Sequence, residues 1–212
     1  NHAIWKGALR QSGILEVFST EELLDTAKAL DACPLLNGPR IAVLSGQAGP
    51  GIIAADALET VGLRLSCFSE VTQQKVNTLL PPVAIRTNPV DMGPAWYDPN
   101  TIMNIMRTTL EDEQTDGVIF IAMYASANLK LAEAIRDYME SVNSFPKPVI
   151  GCLTAPPGIW NESTDKLDRK KGLVVLPTPE RAAHAMANLW KMNRLMNLKT
   201  LDSPGRLNGA LT

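Results

Sequence analysis

Arg40-Ile-Ala-Val-Leu-Ser-Gly-Gln-Ala-Gly-Pro-Gly-Ile-Ile-Ala-Ala-Asp-Ala-Leu-Glu-Thr-Val-Gly62 is the stretch from which the fold can be read. Ile41 to Leu44 is a short apolar run with β-branched residues, bounded by turn formers. That is the pattern of a strand buried on both faces. Gly46, Gly49 and Gly51 let the backbone turn sharply and approach whatever lies above it. Pro50 suits the first turn of a helix, where its missing N–H costs nothing. Ile53, Ala54, Ala57, Leu58 and Val61 form an apolar stripe, and Gly62 is a natural stop. Strand, glycine turn and helix together leave free N–H groups at the positive end of a helix dipole, where an anion is favoured.

The turn matches no standard nucleotide motif. It is not G-x-x-x-x-G-K-[ST], and no lysine follows it. It reads G-x-x-G-x-G, whereas the dinucleotide fingerprint needs G-x-G-x-x-G and an acid closing the second strand. The second strand, near residues 63–65, ends in Ser66-Cys67. A nicotinamide cofactor is therefore disfavoured.

The hydrophobic content of 45% suits a globular core, and 212 residues suit one mid-sized domain with extensions. A net charge of −2 gives no electrostatic reason to expect nucleic acid or an anionic membrane. Cys33, Cys67 and Cys152 are odd in number and widely spaced, so they make neither a disulfide framework nor a zinc signature. With no signal peptide and no long apolar run, the sequence reads as cytoplasmic.

Residues 1–13 read as a helix ended by Gly13, and residues 14–17 as a short strand. Ser19-Thr-Glu-Glu22 is a capping box opening a helix with Leu23, Leu24, Ala27 and Leu30. The prolines and Asn37-Gly38 between Cys33 and Pro39 are linker chemistry. Residues 1–33 are therefore expected to be the strand–helix end of a preceding domain, 34–39 a linker, 40–196 the main domain and 197–212 a loose tail.

Within the main domain, helices start at Ser69, at Asp98-Pro99, near Ser126 to Asn128 and at Thr178-Pro179. The strands are residues 41–44, 63–65, 117–123, 149–153 and 173–176, with the third central because it is apolar throughout. Strands alternating with helices imply a doubly wound, flavodoxin-like α/β fold: a five-stranded parallel sheet in the order 2-1-3-4-5, counting these strands along the chain. Ligands then sit at the carboxyl ends of the strands. Three loops collect there: Gly46 to Gly51, Asn88 to Gly93, and Tyr124 to Asn128.

Candidate reagents are few. His2 and His184 lack motif context. Ser45 and Ser126 end strands, but no histidine follows in a nucleophile-elbow pattern. Asp91 could hold a metal or orient a phosphate, although turn duty suits an Asx residue in this setting. No acid cluster supports a divalent cation. The residues alone describe a rim that could bind an anion and that lacks its own nucleophile.

Three motifs carry a resemblance. Gly38 to Asp56, then Leu79-Leu-Pro-Pro82, then Asn88-Pro-Val-Asp91 resemble the ligase module of NDP-forming acyl-CoA synthetases, the acetate:CoA ligase (ADP-forming) group related to succinyl-CoA synthetase. Ala8 to Leu15 and Glu21 to Leu30 resemble the end of the module before it. The resemblance implies a parent that ligates an organic acid to CoA with ATP through a phosphohistidine, using CoA, ATP/ADP and Mg. The phosphohistidine loop is expected upstream of Asn1, so no catalytic residue is expected in this chain and no cofactor bound by this module by itself. The implied partners are the upstream CoA-binding and phosphohistidine domains and an ATP-grasp domain or subunit, in an oligomeric parent. Ser126, Ala127 and Asn128 match the family helix whose N-terminus faces the phosphohistidine. Gly46, Gln47, Gly49 and Gly51 would share the docking, supported by Asn88 and Asp91. The family loop often has two glycines where this chain has Ala48-Gly49. The same architecture also resembles a regulatory module of protein lysine acetyltransferases, which lacks ligase chemistry. A flavin-binding flavodoxin is disfavoured because the first loop lacks hydroxyl side chains.

Overall fold

The apolar runs do assemble into a parallel sheet. A computed structural model describes residues 2–123, 130–142, 145–154 and 172–202 of the 212. In chain order the elements are α1 (His2–Gln11), α2 (Thr20–Ala32), β1 (Arg40–Ser45), α3 (Ala48–Thr60), β2 (Arg64–Leu65) and α4 (Glu70–Leu79). There follow β3 (Val90–Asp91), a 3-10 helix (Gly93–Tyr97), α5 (Pro99–Glu111), β4 (Gly117–Met123), α6 (Leu131–Val142), β5 (Val149–Thr154), β6 (Leu173–Leu176) and α7 (Pro179–Asp202).

The sheet runs β2-β1-β4-β5-β6, which is the anticipated 2-1-3-4-5 path through the long strands. It has six strands rather than five, because the two-residue β3 also pairs with β1. The turn-rich Asn88–Gly93 stretch hid that strand. Its pairing is only Leu44↔Val90 and Ser45↔Asp91, in parallel. β4 is central, paired with β1 and β5.

Alternate residues of β1 and β4 point to opposite faces, and each face is covered. Ala42, Leu44, Val118 and Phe120 join Val76, Ile102, Ile105, Met106 and Ile135 in one core. Ile41, Val43, Ile119 and Ile121 join Ala29, Ala54, Leu58, Ala182, Met186 and Leu189 in the other. The first is roofed by α4, α5 and α6, the second by α2, α3 and α7. Capping chemistry starts the helices as anticipated. The hydroxyl oxygens of Ser19 and Ser69 accept from the N–H groups of Glu22 and Thr72, and the Asp98 carboxylate accepts from that of Asn100.

Some expectations are corrected. Residues 14–17 form no strand; Ile14 and Leu15 instead border a cleft between α1 and α7. Ile53 is 45% exposed, so the buried stripe of α3 is Ala54 and Leu58 with Ala57 and Val61 beside them. On α2, Leu23 and Leu24 are more than half exposed, at 54% and 57%. The face turned inward carries Asp25, Thr26 and Ala29. It is polar because α7 answers it in kind. Arg181 grips Asp25 with two hydrogen bonds of 2.6 and 2.7 Å, and Asn188 donates to Thr26 Oγ1 at 2.8 Å and to Glu22 Oε1 at 3.0 Å. Helix α7 continues past Asn197 to Asp202.

Candidate functional site

The carboxyl end of β1 is where the sequence places the site, and two of its three loops meet there. Only Gly46 and Gln47 separate β1 from α3, because the helix already begins at Ala48. Gly49, Pro50 and Gly51 are thus first-turn residues. Ser45 closes the turn: its Oγ donates to Gln47 O at 2.6 Å and accepts from Gln47 N–H at 3.2 Å. Gln47 is the N-cap but makes no side-chain capping bond. The N–H groups of Ala48 and Gly49 have no partner within the helix, as at any helix start. Gln47 and Gly49 are exposed, and a methyl group added at Gly49 would meet nothing within 4 Å.

Gly46 serves differently. A Cβ there would lie 2.5 Å from Cδ2 of Trp96. The indole comes from the 3-10 helix, is 5% exposed and leans on Phe120 with ring centroids 5.8 Å apart. Gly46 is therefore glycine so that an aromatic ring can lie on its backbone. Gly51 is buried against Ser45 and Pro89, which joins the two loops.

The second loop is fastened by Asn88. Its Oδ1 accepts from Val43 N–H at 2.9 Å, and its Nδ2 donates to Ile41 O at 2.8 Å and to Ser66 O at 3.0 Å. One amide thus fills the ladder positions where β1 and β2 part. Ser66 Oγ also accepts from Thr115 Oγ1 at 3.1 Å. Asp91 does turn work: its Oδ1 accepts from Gly93 N–H at 3.0 Å. Among the described residues no group of three or more His, Cys, Asp or Glu could hold a metal ion.

The third loop follows β4. Ser126, Ala127 and Asn128 lie outside the described residues. The end of β4 does stand next to the first loop, since Ser45 pairs with Ile121 and Gly46 N–H donates to Ile121 O at 3.2 Å. Sequence reasoning missed Trp96 as the cover of Gly46 and Ser66 and Thr115 as partners behind Asn88. The aromatic after Gly93-Pro94 was the only hint of the first.

His184 is exposed on α7 near Glu22. Burial opposes ionisation of Glu22, but hydrogen bonds from Asn188 and the Phe18 backbone outweigh it and hold its pKa below the usual value. Burial pushes the Cys33 and Cys152 thiols up to about 12 and about 11, as suits small buried hydrophobes. No helix among the described residues is long and apolar enough to cross a membrane.

No protein-family model matches the chain. The α subunit of acetate–CoA ligase (ADP-forming) II from Pyrococcus furiosus is 31% identical over 191 residues, 86% of this chain and 40% of the relative. Acetate–CoA ligase (ADP-forming) from Methanocaldococcus jannaschii is 28% identical over 198 residues, 92% of this chain and 28% of the relative. Among solved structures, a dinucleotide-forming acetyl-coenzyme A synthetase 1 from Ca. Korarchaeum cryptofilum, in complex with phosphate and ADP, superposes with a TM-score of 0.80 at 27% identity. That match covers 96% of this chain and 44% of the other. The chain spans less than half the length of these relatives, and over nearly its whole length it is a homologue of part of the ADP-forming acetate–CoA ligases.

Proposed function

We propose that this chain is a segment of an ADP-forming acid–CoA ligase and that its β1–α3 rim docks a phosphorylated histidine delivered from elsewhere in the protein. The observation that carries the reading is the pairing of an open helix start with a fastened neighbour. The N–H groups of Ala48 and Gly49 lie at the positive end of α3, and the Asn88–Gly93 loop is stitched beside them by Asn88 and Gly51. Amides and a helix dipole stabilise a phosphoryl dianion. Among the described rim residues, Ser45 Oγ is engaged with Gln47 and Asp91 with Gly93.

In this reading the phosphohistidine carries the phosphoryl group between an acyl-phosphate stage and a nucleotide site. CoA and ATP/ADP, with Mg, bind to other domains, and an ATP-grasp domain or subunit is the partner. Ser126, Ala127 and Asn128 would add a second set of amides. The Korarchaeum relative, solved with phosphate and ADP, supports a phosphoryl-handling parent. Relatives that are ligases by name favour catalysis over a purely regulatory role.

Gly49→Asp tests the docking. A Cβ added there meets nothing within 4 Å, and an acid in a first helical turn stabilises the helix by about 0.3–1 kcal/mol. The same charge would repel a phosphoryl group. In the full-length protein we expect unchanged or higher thermal stability and single-turnover phosphoryl transfer from labelled ATP slowed by about tenfold or more. Transfer at the unmodified rate would overturn the docking role of this rim.

A further inference from the structure

The cleft between α1, residues 14–18 and α7 lies on the face roofed by α7 and takes no part in the proposed docking. Its volume is about 290 Å³, at the lower end for small-molecule sites. Leu9, Ile14, Leu15, Phe18, Leu195 and Leu198 give it an apolar lining. Ile14 is 52% and Phe18 73% exposed, so this lining faces solvent.

The walls are fixed from both sides. Ile14 N–H donates to Leu9 O at 2.9 Å, folding the segment back on α1, and Phe18 N–H donates to Glu22 Oε2 at 2.8 Å, tying it to α2.

The charges at the cleft are one-sided. Lys6 and Arg10 stand four apart on α1, and Lys191 and Arg194 three apart on α7, so each pair shares one helix face. Glu16 is the single carboxylate among the lining residues. Arg194 lies over the Trp190 ring at 5.2 Å, and Lys191 donates to Asn188 Oδ1 at 3.1 Å, which holds both cations in place, with the Glu22 carboxylate also in the electrostatic reach of Lys191. Like charges at this spacing disfavour a helix, and two such pairs converge on one apolar trough. An anion with a hydrocarbon tail would relieve the repulsion with its head and cover the lining with its chain.

We infer that this cleft binds an amphipathic monoanion, an aliphatic carboxylate of about six to ten carbons, with its head among Lys6, Arg10, Lys191 and Arg194 and its tail on Leu9, Leu195 and Phe18. The inference stands apart from phosphoryl transfer, which its test does not read.

Isothermal titration of the intact protein with octanoate should show saturable one-to-one binding with a Kd of about 1 mM or tighter. Acetate, which lacks the tail, and octanamide, which lacks the charge, should each bind at least about tenfold more weakly. Lys6→Glu with Arg10→Glu, both exposed positions, should weaken octanoate about tenfold or more while the circular-dichroism spectrum stays unchanged. Leu198→Lys, which puts a charge on the lining, tests the tail in the same way. The assignment is overturned if octanoate does not saturate, if octanamide binds as well, or if binding survives both sets of substitutions.

Discussion

The two ends of β1 each hold a glycine pressed by a neighbouring side chain, and they differ in what presses. At the amino end, Asp116 lies against Gly38 and binds Arg40 three times: Oδ2 accepts from the Arg40 backbone N–H and Nε, both at 2.9 Å, and Oδ1 from Nη2 at 2.7 Å. At the carboxyl end, Trp96 lies against Gly46, and α3 starts beside it with no side-chain cap from Gln47. One end is closed by charge and gives nothing to a ligand. The other is closed on one side by an aromatic ring and left free on the other. In an open α/β sheet ligands gather at the carboxyl ends of the strands, so stabilising ion pairs are best placed at the opposite end.

The largest effect that separates the ends should come from Trp96. Trp96→Ala removes a buried ring from between Gly46 and Phe120 and should cost about 3 kcal/mol or more in urea denaturation. Gly46→Ala should cost about 1–3 kcal/mol by overpacking against the same ring. The double substitution should cost less than the sum, because the smaller neighbour leaves room for the methyl group. Strict additivity would mean that ring and glycine do not press on each other.

Asp116→Ala should cost about 2 kcal/mol by stranding a partly buried guanidinium and a backbone N–H. The pH dependence then sharpens the contrast. Burial works against the charged form of Asp116, yet its bonds from Arg40 prevail and hold its pKa below the usual carboxylate value. A lowered folded-state pKa means that this stability is present above about pH 4 and is lost as pH falls through the lowered value. The advantage of the unsubstituted protein over Asp116→Asn should therefore shrink on acidification. The cost of Trp96→Ala, which involves no titrating group, should persist.

The smallest effect is expected at Gly49. Gly49→Ala meets nothing and removes backbone freedom from the unfolded chain, so stability should stay within about 0.5 kcal/mol or rise slightly. A larger loss would show that the open side of the loop is less open than its geometry indicates.

The sheet was readable because buried strands must be apolar on both faces, which left residues 41–44, 117–123, 149–153 and 173–176 little alternative. The caps at Ser19, Ser69 and Asp98 were readable because each satisfies a defined orphan amide. The hidden parts depend on partners far along the chain. Leu23 and Leu24 read only as members of a helix, and which face of α2 turns inward is set by Arg181 and Asn188 of α7. Gly46 looked like room for a ligand until Trp96 was found over it. Asn88 looked like a turn residue, and no local pattern shows that its amide replaces ladder bonds between β1 and β2. The rim at the carboxyl end of β1 draws on this same long-range class, so the sequence indicated the rim and not which of its glycines are already occupied.

The grip of Arg181 on Asp25 joins positions 156 residues apart. As the ribosome extends the chain from its amino end, α2 emerges long before the helix that will hold it, and its Asp25–Thr26–Ala29 face has little apolar surface with which to anchor itself meanwhile. Docking of α2 is therefore a late event in biogenesis. A ribosome stalled before the codon for Arg181 would display this helix without its Arg181 and Asn188 partners, and any chaperone or protease that samples nascent chains would meet it in that form.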